Sequence, residues 1–217
     1  MIQEPKITYH KRLLPHYEIE NSYYFITFRL AFTLPDFVLD KLKKDTDDFY
    51  AIYNQLDSAE KINYNIEFFK YKFTYYDEIL DKNEHNLKYL LIPEIADIVI
   101  KSLQYFDGVR YDIVTYCIMS NHVHLVIKIK QNENIEFYSL TNIMHSIKSF
   151  TSNKCNKFLN QKGQFWHHES FDHIIRNQEE FIRYISYTIN NPVKSGLVSN
   201  WQDWKYTYLA KKYMEEI

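Results

Sequence analysis

The chain has 217 residues, a formal net charge of −2 and only two cysteines. That length suits one domain with a substantial core, and the absence of a long apolar run or a basic leader points to a cytoplasmic protein with no membrane span or secretory signal. Cys117 and Cys155 stand far apart in no metal-ligand spacing, which argues against a disulfide scaffold or a zinc ribbon.

In chain order, the run "YYFITFRLAF" from Tyr23 alternates, with Tyr24, Ile26, Phe28 and Leu30 on one face, and predicts the first strand. Residues 31–92 read as an acidic, mostly helical and irregular insertion, opened by Pro35 and ending in the aromatic segment "FFKYKFTYYDEIL". Pro93, with Ile95, Ile98, Val99, Leu103 and Phe106, predicts an amphipathic helix that stops at Asp107 and Gly108. A strand pair follows, "VRYDIVTY" and the segment around "NHVHLVIKIK". Leu140, Ile143, Met144, Ile147 and Phe150 keep helical spacing over about 139–159, with Asn142, His145 and Ser149 on the polar side. A short strand in "SFDHIIRN" leads to a last main helix, capped by Asn177 with Glu180 and ended by Pro192 and Gly196. This alternation, without repeats or a low-complexity linker, predicts an α+β fold with a mainly antiparallel sheet.

Two features carry chemistry. His122 and His124 fall on the same face of a strand, about 6.6–6.8 Å apart along the backbone, so their ring nitrogens can converge on one ion. Arg183, Tyr187 and Asn191 share one side of the last helix, away from Ile182, Ile185 and Ile189. Asn191 precedes Pro192, which predicts that it sits at the helix end with a free carboxamide oxygen.

"SNHVHLVI" resembles the His-hydrophobic-His signature of HUH endonucleases, and "WHHESFDHIIRN" followed by "YISYTINNPVKSGLV" is similar to the tail of REP-associated tyrosine transposases, relatives of the single-strand transposases of small insertion sequences. The matching segments cover about 23–28 and 93–204. The resemblance implies a ferredoxin-like antiparallel sheet with flanking helices, the HUH endonuclease fold, interrupted here by a helical insertion after the first strand. It implies Tyr187 as nucleophile and His122, His124 and Asn191 as ligands of Mg²⁺ or Mn²⁺. It further implies cleavage of single-stranded DNA beside a hairpin through a 5′-phosphotyrosine, followed by strand transfer, with the monomer favoured over a dimer. Two positions depart from the pattern: Gln is frequent where Asn191 stands, and Ser120 replaces the usual Pro before the Asn-His pair.

The chemistry is consistent with that reading, because a phosphodiester polyanion repels nucleophiles and a cation neutralises it. Lys148, Lys154, Lys157, Arg176, Arg183 and Lys194 are candidate phosphate contacts, although lysines on a helix most simply form a solvated face. Asn121 and His173 are expected to support the site residues from behind. Trp166, Phe165 and Phe171 could stack on bases, but loop aromatics usually close a core. Tyr184, one turn before Tyr187, is the rival tyrosine and is expected to be a packing residue. Two rivals remain: a DNA-binding protein or repressor that has lost catalysis, and a zinc-dependent hydrolase using His122 and His124 with a carboxylate from the insertion.

Overall fold

The computed structural model describes residues 7–11, 15–19, 21–82, 87–132 and 137–216. A hairpin pairs β1 (Ile7–Lys11) with β2 (Pro15–Ile19), so the strand at Tyr23 is not the first. It is β3 (Tyr23–Arg29), followed by α1 (Asp36–Tyr53) and α2 (Ser58–Lys82), which make up most of the insertion. Then come α3 (Pro93–Tyr105), β4 (Tyr111–Ile118), β5 (His122–Ile129), α4 (Leu140–Phe158), β6 (Phe171–Ile175), α5 (Gln178–Lys194) and β7 (Thr207–Leu209).

The main sheet has the order β6-β3-β5-β4-β7, and every neighbouring pair is antiparallel. Within it, β3-α3-β4 and β5-α4-β6 are the two crossover units of a ferredoxin-like arrangement, as expected. β5 is the middle strand.

Each face of the sheet has its own core. Tyr24, Ile26, Phe28, Val123, Leu125 and Ile127 pack under α3 and α4, with Ile95, Val99, Leu103, Ile143 and Ile147 opposite them. The other face carries Phe25 and Val126 against Phe181, Ile185 and Ile189 of α5, and receives Phe73 from α2. Alternation along β5 therefore turns His122 and His124 toward α5 and the insertion. A third cluster, Leu34, Val38, Tyr76 and Leu80, ties α1 to α2.

Local capping follows the sequence closely at α4 and α5. The Ser139 side chain accepts from the Asn142 amide at 3.4 Å, and Asn177 Oδ1 accepts from the Glu180 amide at 2.8 Å. The end of α5 differs from the expectation. The helix runs through Pro192 to Lys194, because a proline in the last turn forfeits only one amide donor and the helix is closed just beyond it. Leu197 N–H donates to the Pro192 carbonyl and Gly196 N–H to that of Val193, both at 2.9 Å, with Gly196 at φ 68°. That is a Schellman closure, in which glycine accepts the left-handed backbone without a Cβ penalty.

Candidate active site

The site forms where β5, α5 and α2 meet. His122 and His124 are fully buried on β5, and their Nε2 atoms lie 3.0 Å apart. That is the separation of two ligands each about 2.1 Å from a common ion. Both rings are held from behind. Asn121 donates through Nδ2 to the Leu80 carbonyl at 3.0 Å, so its Oδ1 faces His122 Nδ1 at 2.7 Å and accepts from it. The lone pair of His122 is thereby fixed on Nε2. Thr27 Oγ1, across the β3–β5 pair, lies 2.8 Å from His124 Nδ1, and the Phe25 ring stacks on the His124 imidazole. Burial lowers both pKa values, that of His124 to about 3, so both rings are neutral near pH 7.

Tyr187 comes from α5. Its ring packs edge-on against His124 with centroids 5.3 Å apart, and also meets Phe25 and Phe73. Asn191, one turn further on and fully buried, donates through Nδ2 to the Tyr187 hydroxyl at 3.4 Å, while its Oδ1 has no hydrogen-bond partner. The other side of the phenol is filled by a residue that sequence reasoning did not single out. Asp77 of α2 accepts the Tyr187 hydroxyl hydrogen bond on Oδ2, and the same oxygen lies 2.6 Å from Lys194 Nζ. Its Oδ1 lies 3.4 Å from His124 Nε2, is buried and has no hydrogen-bond partner.

Asp77 is placed by the stripe it belongs to. Phe69, Phe73, Asp77 and Asp81 recur every fourth residue, on one face of α2. Phe69 packs on Phe171 and His173, and Phe73 on Phe25 and Phe171, so the next position along must also face the sheet. An aspartate in register with two core phenylalanines was the available signal. Asp81, one turn on, pairs with Lys194 at 3.0 Å and accepts from Ser195 Oγ at 3.0 Å.

Burial disfavours the charge on Asp77, whereas the Lys194 ammonium and the Tyr187 hydroxyl, which hydrogen-bond to its Oδ2, favour it. Burial, reinforced by the Asp77 carboxylate, raises the Tyr187 phenol far above its ordinary value. Asp77, His122 and His124 bring their ligand atoms within 4.8 Å of one another. Two neutral imidazoles, each backed at Nδ1, and two orphaned buried oxygens form a donor set that fits a hard or borderline divalent cation.

The remaining sequence candidates separate. Lys194 stands beside the phenol, ion-paired with Asp77 and Asp81. Lys148 points elsewhere: its ammonium is satisfied by the carbonyls of His167, His168 and Glu169 at 3.0–3.2 Å, where it organises a loop. Lys154, Lys157 and Arg176 are exposed, and Arg183 is exposed beside Glu180 at 3.6 Å. His173 lies off the site, with Glu180 at 3.2 Å and the Tyr184 ring against it, and burial lowers its pKa to about 4. Tyr184 is buried and stacked on Phe25. Phe165, Trp166 and Phe171 are core residues, at 2–3 % exposure, and present no free face to a base.

The family model described as "Transposase IS200 like" matches residues 92–188, a stretch that holds His122, His124 and Tyr187 but neither Asp77 nor Asn191. A curated relative from Haemophilus influenzae, described as "Putative REP-associated tyrosine transposase", is 22% identical over 112 residues. That match takes in 49% of this chain and 64% of the relative, so it spans less than two thirds of the relative's length. Among solved structures, a REP-associated tyrosine transposase bound to a REP hairpin superposes with a TM-score of 0.53 at 14% identity, over 93% of this chain and 81% of that one. At such identity the likeness establishes the fold. Residues 92–188 are thus similar to the IS200-like transposases, and the chain resembles REP-associated tyrosine transposases, one in sequence and one in fold.

Proposed function

We propose that the protein is a metal-dependent single-strand DNA endonuclease and strand transferase that cuts beside DNA hairpins, with Tyr187 as nucleophile and Mg²⁺ or Mn²⁺ held by His122, His124 and Asn191. The observation that carries this reading is the convergence, within one chain, of the histidine pair and the Tyr187 hydroxyl on one cluster joined through the buried Asp77. Because that set is complete in a single chain, it also favours action as a monomer. The hairpin substrate is suggested by the solved relative, which was determined with a REP hairpin. The whole chain is taken as one transposase-like domain, with residues 31–92 as an insertion that reaches its centre.

A divalent ion at this place supplies charge neutralisation of a scissile phosphate. The chain's own residues do the rest. Tyr187 Oη attacks phosphorus and gives up its proton, and Asp77 Oδ2, which already accepts its hydrogen bond, is in line to take it. The phosphorus–O3′ bond breaks, the 3′ oxygen leaves and takes up a proton from water, and the 5′ phosphate stays on Tyr187. Attack by another 3′-hydroxyl reverses the step and joins strands without a nucleotide cofactor. Lys194 lies where it can contact phosphate once freed from its carboxylates.

One observation favours a second reading. Two histidines and a buried aspartate also suit a hydrolytic zinc site. The hydrogen bond from Tyr187 to that same aspartate favours the transposase, since water-activating hydrolysis gives the phenol no part. The deciding experiment incubates the protein with single-stranded oligonucleotides copied from hairpins flanking its gene, with Mn²⁺ or Mg²⁺, and resolves the products on denaturing gels. A protein-linked DNA band that needs the metal and vanishes in Tyr187→Phe and His122→Ala is expected. Binding without any adduct would favour a repressor, and tight stoichiometric zinc with hydrolysis would favour the second reading.

A further inference from the structure

Asp77 lies outside the residues matched by the transposase family model, in a helix the ferredoxin-like core does not need. We infer that Asp77 is itself a ligand of the catalytic metal, so that the insertion helix completes the metal centre and couples it to the nucleophile. The inference rests on the metal-dependent reading of the site and concerns who supplies its negative charge.

Three observations carry it. The first is an unsatisfied atom: the Asp77 side chain is 2 % exposed, yet Oδ1 has no hydrogen-bond partner. A carboxylate buried only to pair with Lys194 and Tyr187 would be expected to satisfy both oxygens, because an orphaned charged oxygen is costly. The second is direction. Oδ1 is the oxygen turned toward His124 Nε2, at 3.4 Å, whereas Oδ2 takes the Tyr187 hydroxyl and the Lys194 ammonium. One carboxylate thus faces the histidine nitrogens with one atom and positions the phenol with the other. The third is chemistry. Two neutral imidazoles and a carboxamide offer no negative charge, and Mg²⁺ and Mn²⁺ sites characteristically include a carboxylate.

The position of Asp77 is also secured from several sides. Phe73, one turn earlier, is locked against Phe25 and Phe171, and Leu80, just after it, is fully buried and gives its carbonyl to Asn121. Through Asn121, α2 also orients His122. The insertion therefore reaches the metal position twice, by a ligand and by the backbone that aligns another.

Calorimetric titration of the full chain with Mn²⁺, without DNA, tests this on wild type, Asp77→Asn, Asp81→Asn and His122→Ala. Asp77→Asn, which keeps shape and loses charge, is expected to weaken Mn²⁺ binding by at least about tenfold. Asp81→Asn, one turn away and also acidic, should stay within about threefold, and His122→Ala should abolish binding. Equal affinity in Asp77→Asn and wild type would overturn the inference, as would equal weakening by Asp77→Asn and Asp81→Asn, which would reduce Asp77 to a nearby charge. Failure of His122→Ala to weaken binding would instead overturn the metal-site reading on which the inference rests. Should Asp77→Asn not fold, anomalous diffraction from Mn²⁺-soaked wild-type crystals decides the question. A peak about 2.1 Å from Asp77 Oδ1 supports ligation, and a peak bound by the histidines with Asp77 out of reach overturns it.

Discussion

At the scale of residues, the site depends on groups behind the histidines as much as on the histidines. Asn121 is fully buried between the Leu80 carbonyl and His122 Nδ1, and Thr27 does the same work for His124 from the neighbouring strand. Thr27→Val keeps the shape but leaves His124 Nδ1 buried without a hydrogen-bond partner, a loss worth about 1–3 kcal/mol of stability. It should also lower Mn²⁺ affinity about 10- to 100-fold, the usual effect of removing a partner behind a metal ligand. Urea unfolding and Mn²⁺ titration of the same preparation would show both. Not every site residue was equally visible from sequence. The histidine pair announces itself because two imidazoles on one face of an apolar strand have few structural uses. Asp77 is hidden among many acids of an acidic segment, and only its register with Phe69 and Phe73 sets it apart. A zinc-hydrolase reading had required a carboxylate from the insertion. Asp77 is such a carboxylate, and it binds the Tyr187 hydroxyl as well.

At the scale of elements, α2 is held to the sheet by aromatic packing at Phe69 and Phe73 and to α1 by Leu34, Val38, Tyr76 and Leu80. Leu80→Ala opens a cavity at a fully buried position and should cost about 2–5 kcal/mol. Because the lost contacts lie just beyond Asp77, Mn²⁺ affinity should fall with it, measurable by thermal shift with and without the metal. Unchanged affinity in a destabilised protein would show that α2 keeps Asp77 in place without that cluster. The helix end beyond Asn191 makes a separate point. Sequence rules place a break before Pro192, but the Schellman closure at Gly196 lets the helix continue through it. Asn191 consequently points inward from a helical turn, its oxygen buried, instead of fraying into a loop.

At the scale of the molecule, the order of strands and helices was legible because hydrophobic periodicity switches cleanly between two residues and three to four. The ferredoxin-like arrangement itself came from the family resemblance, since periodicity does not say which strands pair. The hairpin before Tyr23 and the three-residue edge strand β7 escaped notice, being short and without long alternating runs. Among the described residues, no helix is long and apolar enough to cross a membrane. Burial of neutral histidines has a global consequence. Desolvation lowers His124 and His167 to about 3 and His173 to about 4, whereas in the unfolded chain each takes up a proton near pH 6.5. The unfolded state therefore binds more protons below pH about 6.5, and metal-free stability should fall as pH drops from there toward about 4. Urea midpoints at pH 7.5, 6 and 5 should decline in that order, and a flat series would show that these imidazoles are not held neutral by the fold.

The most direct test of the catalytic assignment is the chemical identity of the covalent product. Wild-type protein is reacted with a hairpin-flanking single-stranded oligonucleotide and Mn²⁺, digested with nuclease and protease, and sequenced by tandem mass spectrometry. A 5′-linked nucleotide phosphate on Tyr187, absent when the metal is chelated, is the predicted result. The same modification on Tyr184 or any other residue, or formation of the adduct without metal, would contradict the proposed centre.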